Sequence, residues 1–302
     1  MSHHHNHDHS PSDYNRAFAI GIALNVIYIV VEATYGFLAG SLALLADAGH
    51  NLSDVLGLLL AWGANYLVQR KPTERHTYGW RKSTILAALT NAIILLVAMG
   101  AIAWEAVQRF SDPSPVAGKT VIIVAAIGVV INTATALLFL SGRKTDLNIR
   151  GAFLHMAADA GVSAGVVLAG VAILTTGWPW IDPVVSLTIT AIILAGTWGL
   201  LRDSFNLALD AVPAGIDPEA VKTYLSDLPG VTGVHDLHIW AMSTSQTALT
   251  VHLVKPDAGD DDALIEQASR ELHDRFGIEH ITIQWERRPE LDHCGSSCQI
   301  NA

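Results

Sequence analysis

Six stretches of about 20 apolar residues dominate this chain, and each is long enough to cross a bilayer as a helix. They run near Ala17–Leu38, Leu42–Val68, Thr84–Trp104, Thr120–Leu140, Gly151–Thr176 and Ile181–Leu201. A helix satisfies its backbone groups internally, which is what the hydrocarbon layer demands. After Arg202 the composition changes: the remaining residues are polar, rich in Asp and Glu, and hold no further span. The expected fold is therefore an α-helical membrane protein, six transmembrane helices followed by a C-terminal cytosolic α+β domain. A hydrophobic share of 51% with only 15% charged residues is too apolar for an ordinary soluble chain of this length.

Lys and Arg in the short loops set the orientation. The loop after the second span holds Arg70, Lys71, Arg75, Arg81 and Lys82, and the loop after the fourth holds Arg143, Lys144 and Arg150. The loops after the first and fifth spans hold none. Both termini and the soluble domain are therefore expected in the cytoplasm. Ala17 opens a full span rather than a short leader core, so no processed leader is expected. The net charge of −10 comes largely from the tail and argues against a nucleic-acid partner.

The second span carries polar residues that a bilayer penalises. In "LLADAGHNLSDVLGLLLAW", His50 and Asp54 are four apart and share one helix face. The fifth span, "FLHMAADAGVSAGVVLAG", repeats the spacing with His155 and Asp159. Two helices that each present an imidazole and a carboxylate offer four N/O ligands, a set that suits tetrahedral Zn²⁺. A lone His–Asp pair is as often a hydrogen bond or a proton relay; the duplication favours one shared metal site. Small residues, among them Ala46, Gly49, Ser53, Ala157, Gly161 and Ser163, surround both motifs and let the helices approach closely. Asp47, three residues before His50, reads as a partner behind the ligands or on the entry path. Asn25, Glu32 and Asn132 read as helix-packing hydrogen-bond residues.

These motifs, with the loop "RHTYGWRK" and the tail segment "VHDLHIWAMS", resemble the cation diffusion facilitator family and most closely its zinc branch. The resemblance runs from about Arg16 to Glu286. It implies a homodimeric secondary exporter of divalent zinc in exchange for protons, in a bacterial inner membrane. His50, Asp54, His155 and Asp159 would form its transport site. It also implies a ferredoxin-like tail with a cytosolic metal site at His235, His252 and Glu286. The loop between the fourth and fifth spans is short and lacks a His run, which looks prokaryotic.

Domain boundaries follow: a disordered His-rich segment 1–15, a membrane domain 16–202, a cytosolic metal-binding domain 203–290 and a Cys-containing tail 291–302. The cytosolic domain reads as helix, strand, strand, helix, strand. His238, before Trp240 in a strand, reads as a packing or hydrogen-bonding residue rather than a ligand. His293, Cys294 and Cys298 are further metal candidates, although the family's cysteine pair is commonly C-x-x-C and this one is C-x-x-x-C. In a reducing cytosol these cysteines are thiols or ligands rather than a bridge. His76 lies in a loop where family members bind metal, but few ligands accompany it. The N-terminal "HHHNHDH" reads as a loose metal trap. An intramembrane metalloprotease would need H-E-x-x-H and an open metal position; the chain has no such motif. A passive metal channel, a sensor, or a wider Cd/Co range remain the alternatives.

Overall fold

The computed structural model describes residues 11–138, 140, 147–257, 259 and 261–287. Six long helices come first: α1 (Pro11–Ala39), α2 (Leu42–Val68), α3 (Ser83–Gln108), α4 (Gly118–Leu138), α5 (Leu147–Thr176) and α6 (Ile181–Ala208). The C-terminal part adds α7 (Pro218–Ser226), β1 (Gly233–Ala241), β2 (Thr247–Val254), α8 (Asp261–Phe276) and β3 (His280–Glu286). Helices α3, α4, α5 and α6 are long and apolar enough to cross a membrane. The described apolar part of α1, Ala23–Ala39, is shorter, and α2 carries Asp47, His50, Asn51 and Asp54 within its length. Large apolar side chains such as Ile27, Trp62, Val97, Val130, Leu168 and Ile192 stand exposed along these helices. In water so much exposed apolar surface is costly; against lipid tails it is not.

Among the described residues, packing divides the chain into two compact units, one from 11–59 and 91–198, the other from 60–90 and 199–287. The first unit is centred on Tyr28, Leu44, Met99, Val124, Val166 and Ile189. Small residues let its helices close up. A Cβ on Gly170 of α5 would lie 2.8 Å from Ile122 of α4, and one on Gly128 of α4 would lie 2.2 Å from the Tyr28 hydroxyl. In the second unit β1 and β2 pair antiparallel, while α8 carries the chain over so that β3 joins β2 parallel. The helix–strand–strand–helix–strand order is as expected. Among the described residues the sheet has three strands, where a complete βαββαβ ferredoxin-like layer has four. Leu249, Val251 and Leu253 alternate along β2 into a core shared with α7 and α8, which leaves Thr250 and His252 on the opposite face.

Asp182 secures the entry to α2. It lies in the first turn of α6 and is 1% exposed. Its carboxylate accepts from Ser41 Oγ at 2.6 Å, Leu42 N at 2.8 Å and Ala43 N at 3.4 Å, so it satisfies free N–H groups at the α2 N-terminus. Arg109 Nη1 stands 3.7 Å away and also donates to the Gly40 carbonyl. Removing one partner of a buried ion pair costs about 3–5 kcal/mol. Asp182→Ala should therefore lower the thermal unfolding midpoint of the detergent-solubilised protein by several degrees. An unchanged midpoint would show that the cap is dispensable.

Candidate functional site

Helix geometry puts His50 and Asp54 on one face of α2, and His155 and Asp159 on one face of α5. The fold then sets the two faces against each other. His155 Nε2 lies 3.2 Å from Asp54 Oδ2 and 3.6 Å from Asp159 Oδ2. His50 Nε2 lies 3.8 Å from Asp54 Oδ2 and 3.7 Å from Asp159 Oδ1. The two rings meet edge to face with centroids 6.0 Å apart. A zinc tetrahedron with metal–ligand bonds of about 2.0–2.1 Å separates neighbouring ligand atoms by roughly 3.3 Å. Each imidazole-to-carboxylate approach is near that value. As a set the quartet is more open: among the described residues, only His235, His252 and Glu286 bring one ligand atom each within 4.8 Å of all the others.

Three buried atoms of the quartet make no well-aligned hydrogen bond: His50 Nδ1, and Asp54 Oδ2 and Asp159 Oδ2 in spite of their 3.2 and 3.6 Å approaches to His155 Nε2. Buried polar atoms are normally paired. Three such atoms in one cluster, two of them carboxylate oxygens, are what a cation would satisfy. Asp47 is fully buried, but its Oδ2 accepts from Ser163 Oγ at 2.9 Å and not from an imidazole. Asn25 Nδ2 lies 3.6 Å from Met156 Sδ, whereas Asn132 Nδ2 is buried without a partner.

The second cluster lies on the sheet. Register pairs His235 directly with His252 across β1 and β2, and their rings stand 5.3 Å apart. Glu286, near the end of β3, bridges them: Oε2 lies 2.8 Å from His235 Nε2 and Oε1 2.9 Å from His252 Nδ1. Asp236 takes a positive φ of 53° at the β1 irregularity after His235. Its Oδ1 meets His238 Nε2 at 2.9 Å and its Oδ2 approaches His252 Nε2 to 3.6 Å. His238 is thus tied to a carboxylate outside the trio. The ring of His76 stacks on Trp80 at 4.3 Å. His293, Cys294 and Cys298, and the N-terminal run up to residue 10, lie outside the described residues.

Sequence reasoning passed over Asp182 and Tyr28. The Tyr28–Glu32 spacing of four is a signal that would have linked that pair. The Asp182 cap had none, because it joins residues 140 apart.

A helical membrane unit whose His/Asp quartet joins a buried Asp159 to partly exposed His50, Asp54 and His155, together with an α+β layer that carries a His/Glu trio, defines an integral membrane protein with clustered imidazoles and carboxylates in both parts. Residues 18–207 match the model of the cation efflux transmembrane domain, and residues 213–288 that of the cation efflux protein cytoplasmic domain. The chain belongs to this family, the cation diffusion facilitators, and groups with its zinc branch. It is 39% identical to the zinc transporter ZitB of Escherichia coli strain K12, over 100% of this chain and 96% of that protein. It is 35% identical to the metal cation efflux system protein CzcD of Cupriavidus metallidurans, over 94% of this chain and 90% of that one. A cadmium, cobalt and zinc/H(+)-K(+) antiporter of Bacillus subtilis strain 168 is 34% identical, over 93% and 91%. A solved metal-bound C-terminal domain of a CzcD transporter is 38% identical over 24% of this chain and 99% of its own length, with a TM-score of 0.22. The protein is a membrane transporter of metal cations and not an enzyme.

Burial opposes the charge on Glu286, but the hydrogen bonds and positive charge of His235 and His252 outweigh it and hold the carboxyl below its usual range. A depressed carboxyl stabilises the fold above its unfolded pKa, and that contribution is lost as pH falls through the folded value. Glu286→Gln should therefore weaken hydrogen-exchange protection of the β2 and β3 amides at neutral pH. The gap to wild type should close below the ordinary carboxylate range. A gap that persists in acid would assign the effect to packing instead.

Proposed function

We propose that the chain exports zinc from the cytoplasm in exchange for protons, with His50, Asp54, His155 and Asp159 as the transport site. The observation that carries this reading is the meeting of two H-x-x-x-D pairs around buried oxygen and nitrogen atoms that make no well-aligned hydrogen bond. The relatives' names, zinc transporter ZitB and zinc/H(+)-K(+) antiporter, support it.

The exchange follows from the ligands. Imidazoles must be neutral and carboxylates ionised to bind metal, so metal entry releases protons. Where the site opens to a more acidic compartment, protons compete for the same atoms and displace the ion. Two carboxylates match the charge of one divalent ion, which makes the loaded site neutral in a low-dielectric layer. Helix bundles that rock around a midplane site would give alternating access.

The domain plan 1–15, 16–202, 203–290 and 291–302 belongs to the same proposal, as do both termini in the cytoplasm. The His235, His252 and Glu286 trio is read as a cytosolic zinc site, and the working form as a homodimer. Cys294, Cys298, His293 and His76 are secondary metal candidates.

His155→Ala or Asp159→Ala should abolish zinc uptake into everted vesicles driven by a proton gradient, at wild-type membrane levels. Collapse of the gradient should stop wild-type uptake. Wild-type uptake that persists without the gradient would favour a passive channel, and active mutants would remove the shared site.

The cadmium and cobalt in two relatives' names favour a wider range as the second reading. His50→Asp replaces an imidazole that suits zinc by a harder, negative ligand and leaves three carboxylates around a divalent ion. The looser cage should lower the ratio of zinc to cadmium transport. An unchanged ratio in an active mutant would show that His50 does not set selectivity.

A further inference from the structure

Two carboxyl groups lie beside the transport cluster without joining it. Glu32 on α1 and Asp47 on α2 are both fully buried. Glu32 Oε1 accepts from the Tyr28 hydroxyl at 2.6 Å and Oε2 from Asn51 Nδ2 at 3.3 Å. Asp47 Oδ2 accepts from Ser163 Oγ of α5 at 2.9 Å, while Asp47 Oδ1 is buried and meets no donor. Asn51, which donates to Glu32, lies one turn from Asp47 on the same face of α2, and the Tyr28 hydroxyl and Ser163 Oγ that serve the two carboxyls both crowd Gly128, so Glu32 and Asp47 face each other. Ionised carboxylates offer only lone pairs, so contact between them requires a proton on one. Two like charges touching in low dielectric also resist joint ionisation.

The surroundings fix this arrangement on four helices. Gly128 of α4 leaves room for Tyr28, since a Cβ there would lie 2.2 Å from its hydroxyl and 3.0 Å from Ser163 Oγ. Asn51 follows His50 directly, and Ser163 lies one turn beyond Asp159. The titratable groups that act on the pair are Tyr28 from α1, His50 from α2 and Asp159 from α5, while α4 presents the Val124 carbonyl.

We propose that Glu32 and Asp47 hold one proton between them, and that this shared proton locks α1 to α2 and α5 and so positions His50 and Asp159 for the metal. Both are positioning residues; neither touches the ion. When the O–H bond breaks, the proton passes to a base in water and the pair changes from one negative charge to two. The carboxylates then repel, and the ligand faces of α2 and α5 lose their register. Metal/proton exchange at the histidines weakens binding in acid, whereas loss of this proton weakens it in alkali. The consequence for transport rests on the exchange proposed above; the shared proton itself does not.

Glu32→Gln separates the two. Gln keeps an acceptor for Tyr28, supplies its own N–H to Asp47 and leaves the pair with the same single negative charge, but with nothing to titrate. Infrared spectroscopy of the full chain in lipid at neutral pH should show a protonated-carboxyl band that Glu32→Gln lacks. In reconstituted vesicles with a fixed pH difference, both compartments are stepped together from mildly acidic to alkaline. Wild-type zinc flux should fall in alkali, Glu32→Gln should stay flat there, and Glu32→Ala should lose flux at every pH. A wild-type spectrum without the band overturns the proposal, and so does a Glu32→Gln profile that falls like wild type. A band that disappears in Glu32→Gln, in a wild type that moves no zinc at any pH, leaves the shared proton standing and removes the transport reading.

Discussion

A charge buried in hydrocarbon must find a partner, and the membrane part of this protein is organised by that requirement. Three sets of carboxyls, all buried but the partly exposed Asp54, meet it in three ways. Asp182 takes the free N–H groups of α2 and the guanidinium of Arg109. Asp54 and Asp159 face two imidazoles across a helix interface. Glu32 and Asp47 draw in Tyr28, Asn51 and Ser163. Each solution joins helices distant in sequence. Between apolar helices in lipid there is no hydrophobic drive to associate, so these polar contacts specify which helices meet and in what register.

The C-terminal layer brings similar side chains together by a different period. In α2 and α5 the His and Asp of each pair are four apart, because a helix returns to the same face at that interval. In the sheet they come from three strands and meet through register, His235 opposite His252 and Glu286 at the end of β3. The sheet trio is tighter and partly open to solvent, while the helix quartet is wider and partly orphaned. On the reading proposed above, the tighter trio would suit a resident ion and the wider quartet one that arrives and leaves.

Helices were legible because apolar length and the helical period are local signals. So were the H-x-x-x-D pairs, which each lie within one helix. The tail's element order was readable from alternation and from Asp217–Pro218, where the Asp217 side chain caps α7. What could not be read was the long-range pairing of single polar residues. Ser163 looked like one more small residue on α5, yet it is the donor that ties Asp47 to that helix. Asp182 drew no notice at the start of the sixth span and is the cap of a helix 140 positions earlier. Such partners depend on which helices neighbour one another, and no local pattern carries that information.

The polar face of α2 also bears on how the chain enters the membrane. An Asp near the centre of a helix costs about 2.5–3.5 kcal/mol on biological insertion scales, and α2 carries two, with a His and an Asn between them. Composition alone does not make it a span, while four of its neighbours qualify unaided. Only Gly40 and Ser41 separate α1 from α2, with Gly40 in the left-handed region at φ 67°. Such a short turn favours entry of the two helices as a hairpin, with Glu32 and Asn51 already paired. A hairpin of this kind turns the polar face of α2 toward Glu32 of α1 rather than toward lipid, so the helix that carries two carboxylates, an imidazole and an amide meets its first partner within its own neighbour.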